Sequence, residues 1–413
     1  MNKLEKCKLE NGLQLLFYQD KRFHNARMDV FINFGGEYNL VKVNNKDIKI
    51  KSGIAHFLEH ILIEHSKHGN LVNLFSRQKV YTNGMTSNKY THYYIDTVHD
   101  FEDVLVKELD MVNEAVFSKE DVEKVRPAIL KEKMMKDDNI KFDIYKLAYN
   151  SLYSVYPFSN TLGGLEDIKG ISYEELKEIY NIFYQPSNQL IVISGNFDIK
   201  KIKELIEKQY FKYEKEKIEY ILPVLKEPRE VNKKDSYIKK DVHMVNISIN
   251  YKIYIGNLDG LEKNKLGAYI NMVLSNNFSN LSKTYKEYID KKIGFDEISF
   301  STAINRDYLS FSINASPNDQ DKFIKLILKN MNNLDLDEEL FEIKKNRLII
   351  NFIKKDDDLY SIISSLFGNL KNGYYEIDKV EDLESLSFDE YKKVIRSLDF
   401  SNYSITRVLK EDE

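Results

Sequence analysis

The stretch Gly53–Ile54–Ala55–His56–Phe57–Leu58–Glu59–His60–Ile61–Leu62 decides how this chain is read. It holds His-x-x-Glu-His inside an apolar run. On a helix, positions three and four apart share a face, so His56, Glu59 and His60 project together. Phe57, Leu58, Ile61 and Leu62 are left to pack the other faces. Two imidazoles one turn apart form a ready chelate for a zinc ion. The carboxylate between them stands where it could take a proton from a water on that ion. Structural zinc sites close with four protein ligands, often thiolates. Cys7 is the sole cysteine, so no thiolate cage can form within the chain. What remains is a His/His/carboxylate site with an open position, the arrangement of catalytic zinc.

Working outward, Ser52–His65 reads as the motif helix. Leu13–Tyr18 and Arg27–Phe34 alternate as strands. Lys79–Tyr81 and Thr91–Val98 read as strands around the polar Thr82–Tyr90. Asp100–Val116 is an amphipathic helix. Another helix starts at Ser118–Asp121, and Pro127 should kink or restart it. Ser172 with Glu175 forms a capping box for the helix Ser172–Phe183, and Gln189–Ser194 is a strand. Tyr210–Ser236 is dense in Lys and Glu, holds Pro223 and Pro228, and reads as a solvated interdomain linker. Beyond it the pattern returns: strand Val245–Ile253, helix Leu261–Leu274, strands Glu297–Ile304 and Tyr308–Ser316, and helix Gln320–Asn333. Helices Glu338–Lys354 and Leu359–Leu370 follow, then the strand Tyr403–Val408. The fold expected is α+β: two homologous α/β sandwich domains, each a mostly antiparallel sheet with helices packed on it. The boundaries expected are 1–209, a linker at 210–236, and 237–413. The second half keeps no His-x-x-Glu-His.

A chain of 413 residues fits two domains of ordinary size. The net charge of −4 leaves no general nucleic-acid footprint. One cysteine fits a reducing compartment. Met1–Cys7 shows no apolar signal core, and no run of about 18 apolar residues suggests a membrane span. A cytoplasmic protein is expected.

Further segments carry a resemblance. These are Asn11–Gly12–Leu13, Gly35–Gly36–Glu37–Tyr38, Asn83–Gly84–Met85–Thr86 followed by Thr91–His92–Tyr93, and Leu162–Gly163–Gly164. Tyr184–Gln185–Pro186–Ser187–Asn188 then leads into Ser194–Gly195–Asn196–Phe197. In this order around the zinc motif, they make the chain similar to the pitrilysin/insulinase metallopeptidases, the inverzincins. The short members related to mitochondrial processing peptidase are the nearest in kind. The resemblance covers the first half.

It implies a zinc endopeptidase with one Zn2+ per chain, held by His56, His60 and a Glu on a later helix, with Glu59 as general base. Glu132, 72 residues after His60, has the local pattern of that ligand in Ala128–Ile129–Leu130–Lys131–Glu132–Lys133. Glu123 and Glu120 are the other candidates. A supporting Glu seven residues before the ligand is replaced by Val125, and Glu123 is the candidate to stand in for it. His65 and His68 read as solvated helix-end residues. Asn83, Gly84, Met85 and Thr86 resemble an edge strand that receives an extended peptide, with Gly84 where the family more often has Ala. Asn-Gly is also a turn signal, so a turn between two strands is the other reading.

The family's second domain supplies an Arg and a Tyr near the scissile carbonyl. Here Asp290 and Glu297 occupy those positions, and carboxylates would repel a developing oxyanion. Relatives of this length close as dimers, like a clamshell, around a peptide. The resemblance therefore implies a heterodimer whose homologous partner carries the Arg/Tyr pair. A leader of a ribosomally made peptide, such as a bacteriocin, is a substrate suggested by analogy. The alternative is a non-catalytic peptide-binding or scaffold subunit of the same fold.

Overall fold

The computed structural model describes residues 3–411 except 138, 157, 159, 214–216, 356 and 372–379. Two sheets dominate. The first runs, in spatial order, Lys3–Lys8, Gln14–Gln19, Gln189–Gly195, Ala26–Ile32, Thr91–Thr97 and Tyr81–Thr86. The second runs Asp235–Lys240, Tyr403–Lys410, Asn246–Tyr254, Tyr308–Ala315 and Ser299–Asn305. Setting aside Lys3–Lys8, the sheets share one plan. The first and last strands in chain order pair in parallel, and every other neighbour pair is antiparallel. The internal duplication expected from the element order is thus present in the topology. The helix Gly260–Phe278 holds the place in the second sheet's sequence that Ile54–Glu64 holds in the first. It contains neither His nor Cys, so the duplicate carries no metal-ligating pair there.

Each sheet packs helices over its own apolar cluster. Met28, Val30, Phe57, Leu58, Ile61 and Leu105 are among the first cluster. Ile249, Tyr269, Ile270, Phe311, Phe323 and Tyr391 are among the second. The compact units do not follow one cut of the chain. One comprises Met1–Asp138, Ser159–Val224 and Leu359–Ser364; the other comprises Asn139–Phe158, Leu225–Asp358 and Ser365–Glu413. The expected linker 210–236 is divided between them at Val224 and Leu225. The helix Ile140–Leu152 packs on the strands Asn246–Tyr254 and Tyr403–Lys410. A helical period reveals a helix but not which sheet covers it.

Two further differences have local causes. The expected strand at Lys79–Tyr81 is instead Tyr81–Thr86, paired with Thr91–Thr97 from Tyr81↔Asp96 to Thr86↔Thr91. Asn83–Gly84 lies inside it, and the turn is made by Ser87–Tyr90, where the Ser87 hydroxyl accepts the Tyr90 N–H. Ladder pairing has overridden the Asn-Gly turn signal. The helix Lys119–Asp137 runs through Pro127 without restarting, because its buried row Val122, Val125, Ile129 and Lys133 continues across it.

Within the helix Phe101–Asn113, Glu108 occupies an apolar position and is 1% exposed. Neither of its carboxylate oxygens has a hydrogen-bond partner among the described residues. Burial, and then the charge of Asp29, push its acid up to about 8. The folded state therefore favours the protonated form. This contribution is complete below the unfolded value of about 4.3 and is lost as pH rises through about 8. Glu108→Gln should match the wild type below about pH 4, gain on it steadily as pH rises, and exceed it above pH 8 by about 5 kcal/mol. Urea unfolding at pH 4 and pH 9 checks this; equal stabilities for the two proteins at pH 9 would refute it.

Candidate metal centre

The motif helix Ile54–Glu64 begins at Gly53, whose φ of 88° is left-handed. A Cβ there would lie 2.4 Å from the Leu162 carbonyl oxygen. Gly163, with φ also 88°, packs back on the Ser52 carbonyl. Ser52 Oγ accepts the Gly164 N–H at 3.0 Å and bonds Asp167. These two glycines bring the segment 161–164 against the start of the helix. The helix itself is buried almost all round, from Ile54 to Ile63, leaving His60 and Glu64 half-buried. A helix apolar on nearly every side is held rigidly inside the core.

His56 and Glu59 are therefore placed in the interior, and His60 opens to a cavity of about 540 Å3. His56 Nε2 lies 3.6 Å and His60 Nε2 3.4 Å from the same oxygen, Oε2 of Glu132. Among the described residues these three are the one group of His, Cys, Asp or Glu side chains placed to hold a metal ion. Ligand atoms about 2.0–2.1 Å from a tetrahedral zinc are about 3.4 Å apart, so the spacing fits the ion. The donor chemistry fits as well. Burial, and then the neighbouring charges of His60 and Lys136, lower His56 to about 3, which keeps it neutral as a ligand must be. The other nitrogen of His60, Nδ1, is 3.3 Å from Glu64 Oε1, which orients the ring. His56 Nδ1 has no hydrogen-bond partner among the described residues.

Glu59 is 7% exposed. Burial raises its carboxyl above the usual range, against the pull of a Thr86 hydrogen bond and His60; Glu132 raises it further. Thr86 Oγ1 donates to Glu59 Oε2 at 2.6 Å. Asn83, Gly84, Met85 and Thr86 all line the cavity with the ligand triad. Their strand is the last of its sheet, paired among the described residues with Thr91–Thr97 alone.

Glu123 stands elsewhere. It forms an exposed ion pair with Arg126 at 2.6 Å, and the separation of nine positions puts it about 13 Å along the helix from Glu132. The partner that orients a ligand histidine is instead Glu64, and the i,i+4 spacing His60–Glu64 was the available signal. Glu120 lies in the first turn of the Glu132 helix. His65 and His68 pair with Asp121 at 3.2 Å and Asp110 at 2.9 Å. Asp290 and Glu297 are exposed in the second unit. Nearby, Tyr308 is buried with its hydroxyl donating to the Glu227 carbonyl, and Arg306 lies 4.9 Å over the Tyr156 ring.

Comparison with known proteins identifies the family. Residues 24–164 match the family model "Insulinase (Peptidase family M16)", and residues 170–348 match "Peptidase M16 inactive domain". The chain is 30% identical over 298 residues to the uncharacterized zinc protease YmfH of Bacillus subtilis, covering 70% of this chain and 69% of that one. The crystal structure of a putative M16-like peptidase from Alicyclobacillus acidocaldarius has the same fold, with TM-score 0.85 at 20% identity over 99% of both chains. The periplasmic protease PqqL of Escherichia coli matches with TM-score 0.77 at 19% identity, over 99% of this chain and 48% of PqqL. The family models and the named relatives define a class, that of the M16 zinc proteases. The chain belongs to peptidase family M16, the pitrilysin/insulinase family. Among the described residues no helix is long and apolar enough to cross a membrane.

Proposed function

We propose that this chain is the zinc-bearing half of an endopeptidase that hydrolyses flexible peptides. The observation that carries this reading is the convergence of His56, His60 and Glu132 beside the buried Glu59, in a cavity bordered by an open sheet edge. One zinc ion per chain, held by His56, His60 and Glu132, would polarise the scissile carbonyl and acidify a bound water. Glu59 takes the water proton and later delivers it to the leaving amine. An extended peptide adds to the strand Tyr81–Thr86, where Asn83, Gly84, Met85 and Thr86 supply backbone hydrogen bonds and side-chain contacts.

At the two positions where the resemblance places a cationic and a phenolic group to neutralise an oxyanion, the second unit has the exposed carboxylates Asp290 and Glu297. A homologous partner chain supplies that pair in a heterodimer. The greater length of PqqL, which this chain matches over about half, is consistent with two such halves acting together. The single cysteine suits a cytoplasmic setting, and a peptide leader, as of a bacteriocin, suits a site fed by an extended strand.

The test is to co-purify the tagged chain with its partner, load zinc and screen unstructured peptides. Cleavage by the complex, abolished by a chelator and restored by zinc, is the expected result. A zinc-loaded complex that cleaves no peptide would refute the peptidase reading. Full turnover by a homodimer would refute the heterodimer.

A further inference from the structure

The strand Tyr81–Thr86 alternates strictly. Thr82, Gly84 and Thr86 are half-buried on one face, whereas Tyr81, Asn83 and Met85 are exposed on the other. The buried face lies against the motif helix. Two of its three residues meet Glu59. The Thr86 hydroxyl donates to Oε2 at 2.6 Å. A Cβ on Gly84 would stand 2.8 Å from Glu59 Oε1, from Glu59 Cγ and from Ile63 Cδ1, so the strand passes close over the carboxylate. One oxygen is bonded by Thr86, and Glu59 borders the cavity.

We propose that the edge strand seats the base: Thr86 is a positioning residue that anchors the Glu59 carboxylate through Oε2. This rests on the peptidase reading. It adds a link between substrate and chemistry, because the strand that a peptide would join is also the strand that holds the carboxylate. Losing the anchor lets the carboxylate rotate, and misplacement of about 1 Å costs about 100-fold in rate.

The test compares wild type, Thr86→Val and Thr86→Ser, all zinc-loaded and with partner. Thr86→Val should lower kcat by about 10- to 100-fold with KM within about twofold. Thr86→Ser, which keeps the hydroxyl, should recover most of the rate. Zinc content and melting temperature should hold in all three. Crystal structures should show the Glu59 carboxylate turned in Thr86→Val and in place in Thr86→Ser. A Thr86→Val protein with wild-type kcat and an unmoved Glu59 would overturn the proposal, as would equal losses in Val and Ser variants. If wild type cleaves no peptide, the peptidase reading fails, and the Glu59 positions in the crystals still decide whether Thr86 anchors it.

Discussion

Glu59→Gln will keep its zinc and lose peptide hydrolysis by about 1000-fold or more, the upper part of the range for a positioned general base. The amide has the shape of the carboxylate and can still accept from Thr86, so the buried setting at 7% exposure is preserved. His56, His60 and Glu132 are untouched, and their ligand atoms stay within 4.8 Å of one another. What is removed is the capacity to take a proton. Metal content by mass spectrometry beside single-turnover cleavage separates the two properties. A Glu59→Gln protein that binds one zinc and cleaves like wild type would sink the mechanism.

The second large effect lies in the second unit and concerns stability. Lys252 and Glu227 are both fully buried and 2.9 Å apart. The Lys252 ammonium also donates to the carbonyls of Leu152 and Pro228 at 2.8 Å and of Glu230 at 3.0 Å. It lies between the rings of Tyr153 and Tyr308, 4.9 Å and 4.8 Å from their centroids. Glu227 in turn accepts the N–H groups of Ser154, Val155 and Tyr156. Burial alone would raise the Glu227 acid, but Lys252 and these N–H groups hold it below the usual carboxylate range. One ion pair thus joins the segments 152–156 and 227–230 to the strand Asn246–Tyr254. Removing one partner of a buried pair costs about 3–5 kcal/mol, because the other charge is left uncompensated. Lys252→Met should therefore lower the melting temperature by about 10 °C. Lys252→Met with Glu227→Gln should recover part of it, since no charge then remains. Calorimetry of the three proteins measures both effects; a single variant melting within 2 °C of wild type would disprove the account.

The face of the motif helix that carries His56, Glu59 and His60 was legible because it is local. Three chemical groups at i, i+3 and i+4 in an apolar run announce both the helix and the face. The capping box of Ser172 and Glu175 was legible for the same reason, and it forms as read. Glu132 needed the family resemblance, since nothing local distinguishes it from Glu120 or Glu123 on the same charged helix. What stayed hidden depends on contacts between distant segments. Thr86 meets Glu59 across 27 positions, in a strand whose polar sequence and Asn-Gly pair look like a turn. Glu108 shares a helical face with Val104, Leu105 and Val112, so its burial could have been inferred from period alone. Its lack of a partner could not.

The interleaving of the two units bears on how the protein is made. Leu359–Ser364 belongs to the first unit, although about three quarters of the second unit's sequence precedes it. A nascent chain leaving the ribosome lacks this part of its first unit until that late segment emerges. Asn139–Phe158, made early, must wait for the strands it will cover. Neither half is then expected to mature on its own, one after the other. Synthesis stopped anywhere between the halves would yield a product with the metal motif translated but its fold incomplete.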